Sequence, residues 1–223
     1  MTEPLLECVE LQTHPDPDAS VIWLHGLGAD GFDFIPVVRE LQALGAPAAR
    51  YVFPHAPMRA VTINNGYVMR AWYDILGAQI DRREDAQGIR ESQSQVQALI
   101  EREVARGRPR SRIVLAGFSQ GGAIALQAGL RQAEPLAALI VLSAYLPLAD
   151  SAKSEVTEAG RATPIFMGHG SGDQVVTIDR AEASRAALQA LGCRVQWHRY
   201  AIPHSVSEEE IRDLAAFLSE AIK

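Results

Sequence analysis

Short, almost wholly apolar runs alternate along this chain with segments of helical periodicity, and that alternation leaves few folds open. The runs are residues 21–24, 50–53, 113–116, 138–143 and 164–167, with a last strand-like run at 195–200. They are too short for helices, and apolar character at successive positions is what a strand buried on both faces requires. Helical spacing follows over residues 32–44, 87–106 and 181–191, with Gly45 and Gly192 closing the first and third. After Ser119 a further helix is expected to run to about Glu134-Pro135. Ser207-Glu208-Glu209-Glu210 reads as a capping box opening a final helix that carries Ile211, Leu214, Ala215, Leu218 and Ile222 on one face. Residues 5–12 form a candidate edge strand, ended by the turn Pro15-Asp16-Pro17-Asp18. The expectation is an α/β fold: one domain over residues 1–223, with a mostly parallel central sheet and helices on both faces. In such sheets ligands and chemistry gather beyond the carboxyl ends of the strands.

One such strand end stands out. The run at 113–116 leads into Gly117-Phe118-Ser119-Gln120-Gly121-Gly122 and then into a helix. Strand, Gly-x-Ser-x-Gly and helix together form the pattern of a nucleophile elbow. A serine on so sharp a turn has a strained backbone, and side chains two positions either side would strike the crossing chain. In return its hydroxyl projects beyond the sheet at a helix N-terminus, where backbone N–H groups can stabilise an oxyanion. A phosphate-holding loop fits poorly, since neither Gly-x-x-x-x-Gly-Lys-Ser/Thr nor Gly-x-Gly-x-x-Gly is present.

A serine hydroxyl needs a general base, and the base needs an orienting carboxylate. Of the six histidines, His14 falls in the first turn and His198 within a strand. His25 precedes Gly26 in a glycine-rich loop suited to oxyanion donors, and His55 follows another strand end. His169 stands in the turn Gly168-His169-Gly170-Ser171-Gly172-Asp173 and is expected to shape it. His204 occupies the last loop before the final helix. Asp173 follows the 164–167 strand, whereas Asp150 lies in a longer polar loop. The chain order Ser119, Asp173, His204 is one of the known orders of a catalytic triad. Of the two N–H donors that an oxyanion hole needs, Gln120 supplies one, and Leu27 supplies the other, with Gly28 as its near alternative.

Composition narrows the remaining classes. The chain has 223 residues, is 48% hydrophobic and carries a formal net charge of −6, values that mark no nucleic-acid or membrane protein. Arg106, Arg108, Arg110 and Arg112 form the only basic cluster, read as a solvated loop. The two cysteines, Cys8 and Cys193, have no metal-like spacing and read as free thiols in a reducing compartment. The acidic N-terminus is unlike a signal peptide, and no apolar stretch approaches a membrane span. A cytoplasmic protein is expected.

These motifs together resemble the carboxylesterase and acyl-protein thioesterase group of α/β-hydrolases, and the small bacterial carboxylesterases most of all. The resemblance rests on Leu24-His25-Gly26-Leu27-Gly28-Ala29-Asp30-Gly31, Phe53-Pro54-His55-Ala56-Pro57, Trp72-Tyr73-Asp74, the Ser119 elbow, Leu142-Ser143-Ala144-Tyr145-Leu146-Pro147, the Asp173 turn and His204. It implies hydrolysis of carboxylic esters, often with lysophospholipid or acyl-thioester activity. It also implies catalytic roles for Ser119, Asp173 and His204, oxyanion roles for Leu27 and Gln120, and pairing into homodimers in many members. The chemistry calls for no metal or organic cofactor. About twenty residues separate Ser143 from Pro164, too few for a lid domain, so an open site is expected. The long connection at residues 51–87 carries Trp72, Tyr73, Ile75 and Leu76, which either wall an acyl groove or pack the loop on the body. Val176 joins that candidate lining. A serine peptidase would need a specificity pocket that no charged residue marks here, and a non-catalytic receptor on this scaffold would have lost part of the machinery.

Overall fold

The computed structural model describes residues 5–77 and 84–222. Seven strands form the central sheet: β1 (Cys8–Gln12), β2 (Ser20–Leu24), β3 (Arg50–Pro54), then β6 (Ile113–Phe118), β7 (Ala138–Leu142), β8 (Ile165–Gly170) and β9 (Val195–Tyr200), in the spatial order β1-β3-β2-β6-β7-β8-β9. β1 runs antiparallel to β3 and every other pairing is parallel. The antiparallel edge strand is shorter than the sequence suggests, beginning at Cys8.

Period-two alternation sends successive side chains of each strand to opposite faces. Ile22, Leu24, Leu115, Leu139 and Val141 pack on one side with α2 (Ala86–Ala105), α3 (Gln120–Gly129) and α6 (Ile178–Ala190). Val21, Trp23, Val114, Ala116, Ile140 and Leu142 pack on the other with α1 (Ile35–Ala43) and α7 (Glu208–Ala221). The inner strands β2, β6 and β7 are buried on both faces, which is why their sequences show no polar alternation.

Three segments differ from the sequence reading. A hairpin of β4 (Met58–Val61) and β5 (Tyr67–Arg70) occupies the connection after β3. Its Asn65-Gly66 turn, with both residues at positive φ, is the local signal that marks it. Helix α3 stops at Gly129 rather than near Glu134, because Leu130 turns its carbonyl to the Thr157 N–H at 3.1 Å. Two short helices, α4 (Ala149–Glu155) and α5 (Glu158–Ala162), fill the space between β7 and β8. They add no lid domain.

The basic cluster is paired: Arg106 with Glu10, Arg108 with Asp16, Arg110 with Glu101 and Arg112 with Asp18. No helix among the described residues is long and apolar enough to cross a membrane.

Candidate active site

β2 hands the chain to β3 on one side and lies against β6 on the other. The loops leaving β2 and β6 therefore meet at a topological switch point, where a crevice opens in this class of sheet. Ser119 sits there, between β6 and α3, at φ 54° and ψ −119°. That conformation is costly for a residue with a Cβ and persists only where its surroundings impose it. The glycines explain how. A Cβ on Gly117 would stand 2.6 Å from Gly122 N, and one on Gly121 would stand 2.5 Å from His25 O. The strand, the elbow and the β2 loop cross too closely for side chains.

His204 Nε2 lies 3.0 Å from Ser119 Oγ, and His204 Nδ1 lies 2.6 Å from Asp173 Oδ2. The Val175 and Val176 N–H groups donate to Asp173 Oδ1 at 2.8 and 2.9 Å. The carboxylate is thus fixed on both oxygens, and it is buried. His204 also packs on the Phe118 ring, with centroids 4.7 Å apart. The geometry suits a serine nucleophile, an imidazole base and an orienting acid. Asp150 takes no part; it lies in the first turn of α4.

His169 braces the acid turn. Its Nε2 stands 2.8 Å from Val176 O and 3.5 Å from Asp173 Oδ2, while burial holds its pKa below the ordinary range. It sits beside the acid rather than beside the serine.

The Leu27 and Gln120 backbone N–H groups have no protein acceptor among the described residues. Gly28, the alternative donor, is engaged elsewhere: its N–H donates to Arg70 O at 2.9 Å. The hairpin, through Arg70, thereby separates Leu27 from Gly28.

Trp72 is fully buried and packs the loop on the body; it presents no wall to an open groove. Its indole N–H donates to His25 O at 2.9 Å, and its backbone N–H donates to Gln120 Oε1 at 2.8 Å. Gln120 Nε2 in turn donates to Tyr73 O at 2.7 Å. The carboxamide of Gln120 thus clamps the 72–73 backbone while the indole holds the β2 loop. The sequence marks the Gln120 backbone as a candidate oxyanion donor but gives no motif signature for its side chain. Ile75 and Leu76 line a small recess with Tyr73, Glu84, Tyr145 and Arg180. Tyr73 and Tyr145 join hydroxyls there at 2.7 Å, and the Arg180 guanidinium lies 3.3 Å over the Tyr145 ring. Val176 is buried beside Asp173, outside that lining. Among the described residues no group of three or more His, Cys, Asp or Glu is arranged to hold a metal ion.

Comparison with known proteins gives the family. The model of the phospholipase/carboxylesterase family matches residues 7–222. Acyl-protein thioesterase 1 of Yarrowia lipolytica is 37% identical over 210 residues, covering 92% of each chain. Carboxylesterase SOBER1 of Arabidopsis thaliana is 31% identical, covering 91% of this chain and 90% of its own. The crystal structure of Arabidopsis SOBER1 superposes with a TM-score of 0.86 at 30% identity, over 92% of this chain and 99% of that one. The chain belongs to the phospholipase/carboxylesterase family of α/β-hydrolases.

Proposed function

We propose that the protein hydrolyses carboxylic esters by acyl transfer through Ser119, with His204 as general base and acid and Asp173 as its orienting carboxylate. The observation that carries the assignment is the continuous hydrogen-bonded line from Ser119 Oγ through the His204 ring to Asp173, at 3.0 and 2.6 Å. His204 takes the Ser119 proton as the hydroxyl attacks the ester carbonyl. The Leu27 and Gln120 N–H groups receive the oxyanion of the tetrahedral intermediate. Protonated His204 gives its proton to the departing alcohol or thiol. Water then attacks the acyl-enzyme with the same base, and Ser119 recovers its proton. Asp173 holds the ring with Nδ1 protonated, so that Nε2 faces the serine as an acceptor.

Relatives named acyl-protein thioesterase 1, at 36–38% identity, favour a second reading in which long-chain thioesters are the preferred substrates of the same site. The two free cysteines support a reducing, cytoplasmic setting. The test is kcat/KM over matched oxyesters and thioesters from acetyl to palmitoyl, with Ser119→Ala as the blank. A peak at short oxyesters marks a general carboxylesterase. A peak at long thioesters marks a deacylase of lipidated proteins. No turnover above the blank in either series contradicts the proposal.

A further inference from the structure

The Leu27 N–H belongs to the same peptide unit as the Gly26 carbonyl. A planar trans peptide points its N–H and C=O in opposite directions, so whatever fixes the direction of Gly26 O also aims Leu27 N–H. Two donors reach Gly26 O. The Ala29 N–H approaches to 3.3 Å, and the shorter contact comes from a side chain, His25 Nδ1, at 2.7 Å. The other ring nitrogen settles where the imidazole carries its hydrogen. Ala56 N–H donates to His25 Nε2 at 3.0 Å, so Nε2 is an acceptor and Nδ1 bears the proton. The ring is buried against Trp72, at 5.4 Å between centroids. Burial also keeps it neutral, lowering its pKa to about 4.

We propose that His25 is a positioning residue of the oxyanion hole, whose Nδ1–H aims and polarises the Gly26–Leu27 peptide so that Leu27 N–H meets the tetrahedral oxyanion formed on Ser119. It touches no reacting atom. The inference rests on the reading of Ser119 as nucleophile and Leu27 as donor. A hydrogen bond accepted at a peptide carbonyl strengthens the N–H of the same unit as a donor. The benefit falls on the anionic intermediate rather than on the neutral ester, and therefore on kcat rather than KM.

Two substitutions separate the two ring nitrogens. His25→Asn places an amide nitrogen near the position of Nδ1 and keeps the bond to Gly26 O. His25→Gln places a carbonyl oxygen near Nε2 and keeps only the bond from Ala56. With p-nitrophenyl acetate, His25→Gln should lower kcat about 10- to 100-fold with KM within about twofold, and should weaken a trifluoromethyl ketone inhibitor by a similar factor. His25→Asn should stay within about threefold of the parent kcat. Equal losses in both variants, a loss confined to KM, or a kcat that follows the melting temperature would each overturn the proposal. Long-range proton–nitrogen spectra of the unmodified protein give a check independent of variant folding. They should show His25 as the neutral Nδ1–H tautomer at neutral pH, and the Nε2–H tautomer would overturn the proposal. Turnover surviving in Ser119→Ala would remove the hydrolase reading and this one together. Turnover abolished by Ser119→Ala, with the Asn and Gln variants alike, would remove only the role of His25.

Discussion

Ser119 is held in a backbone conformation that few residues with a side chain adopt, and its neighbours are glycines because nothing larger fits between the crossing chains. Gly121→Ala would drive a methyl group into the His25 carbonyl. It should cost about 1–3 kcal/mol or more, read as a fall in melting temperature, and should lower activity as the elbow opens. An unchanged melting temperature would mean that the crossing is looser than described. Ser119→Ala should lower turnover of p-nitrophenyl esters by about three to six orders of magnitude without lowering stability. Asp173→Asn keeps the shape but offers His204 an amide that can favour the wrong tautomer, and should cost about 10²- to 10⁴-fold in kcat. A loss below about fivefold would remove Asp173 from the acid's role. At this scale the sequence was informative because each role demands a particular residue type at a strand end. It favours Leu27 and keeps Gly28 as the near alternative. The Gly28 N–H is engaged by Arg70 O, 42 positions away, a contact that no local pattern reveals.

The elements that carry these residues are tied together by side chains with no catalytic motif of their own. Gln120 is buried and bonds both Trp72 N–H and Tyr73 O. Gln120→Leu would leave both backbone groups unpaired and should cost about 2–4 kcal/mol, measured by urea unfolding. A cost under about 0.5 kcal/mol would mean that the loop finds other partners. Helix α7 shows how an element can be read correctly and its cap only in part. The Ser207 hydroxyl accepts from Glu210 N–H at 3.2 Å, as the capping box expects. The Glu210 carboxyl, however, makes no reciprocal bond: it is buried against Gly168, with neither oxygen hydrogen-bonded among the described residues. Burial pushes its pKa from 4.5 up to about 8. Below the lower value both folded and unfolded chains hold the proton. Between the two values the unfolded chain releases it while the folded chain keeps it, so stability falls as pH rises. Glu210→Gln lacks that slope. Its melting temperature relative to the parent should rise between about pH 5 and about pH 8, and a difference that stays constant with pH would contradict a buried neutral acid. The missed hairpin β4–β5 has a similar lesson. Its strands are four residues each, with several exposed apolar side chains among them, so neither burial pattern nor length marks them, and only Asn65-Gly66 does.

At the scale of the whole molecule, the sheet order puts the carboxyl ends of β2 and β6 side by side. That single adjacency joins the loop after β2 to the elbow, while β8 and the loop after β9 deliver Asp173 and His204 from the far side. Alternation of strand and helix was enough to read this architecture, because each inner strand is buried on both faces and its apolar run is unbroken. Loop packing was not readable. Whether Trp72 lines a groove or fills the core turns on a hydrogen bond to His25 O, not on its hydrophobicity. The segment between β7 and β8 holds only the short helices α4 and α5, so no domain covers the site. Turnover of a long-chain ester should therefore rise smoothly through the substrate's micellar threshold, and an abrupt jump there would indicate a cover that opens at interfaces. The most direct test of the central claim is covalent. Incubation with a fluorophosphonate, followed by intact mass and peptide mapping, should show one adduct per chain on Ser119 and none in Ser119→Ala. An adduct on another residue, or one that persists in Ser119→Ala, would contradict the assignment of Ser119 as the nucleophile.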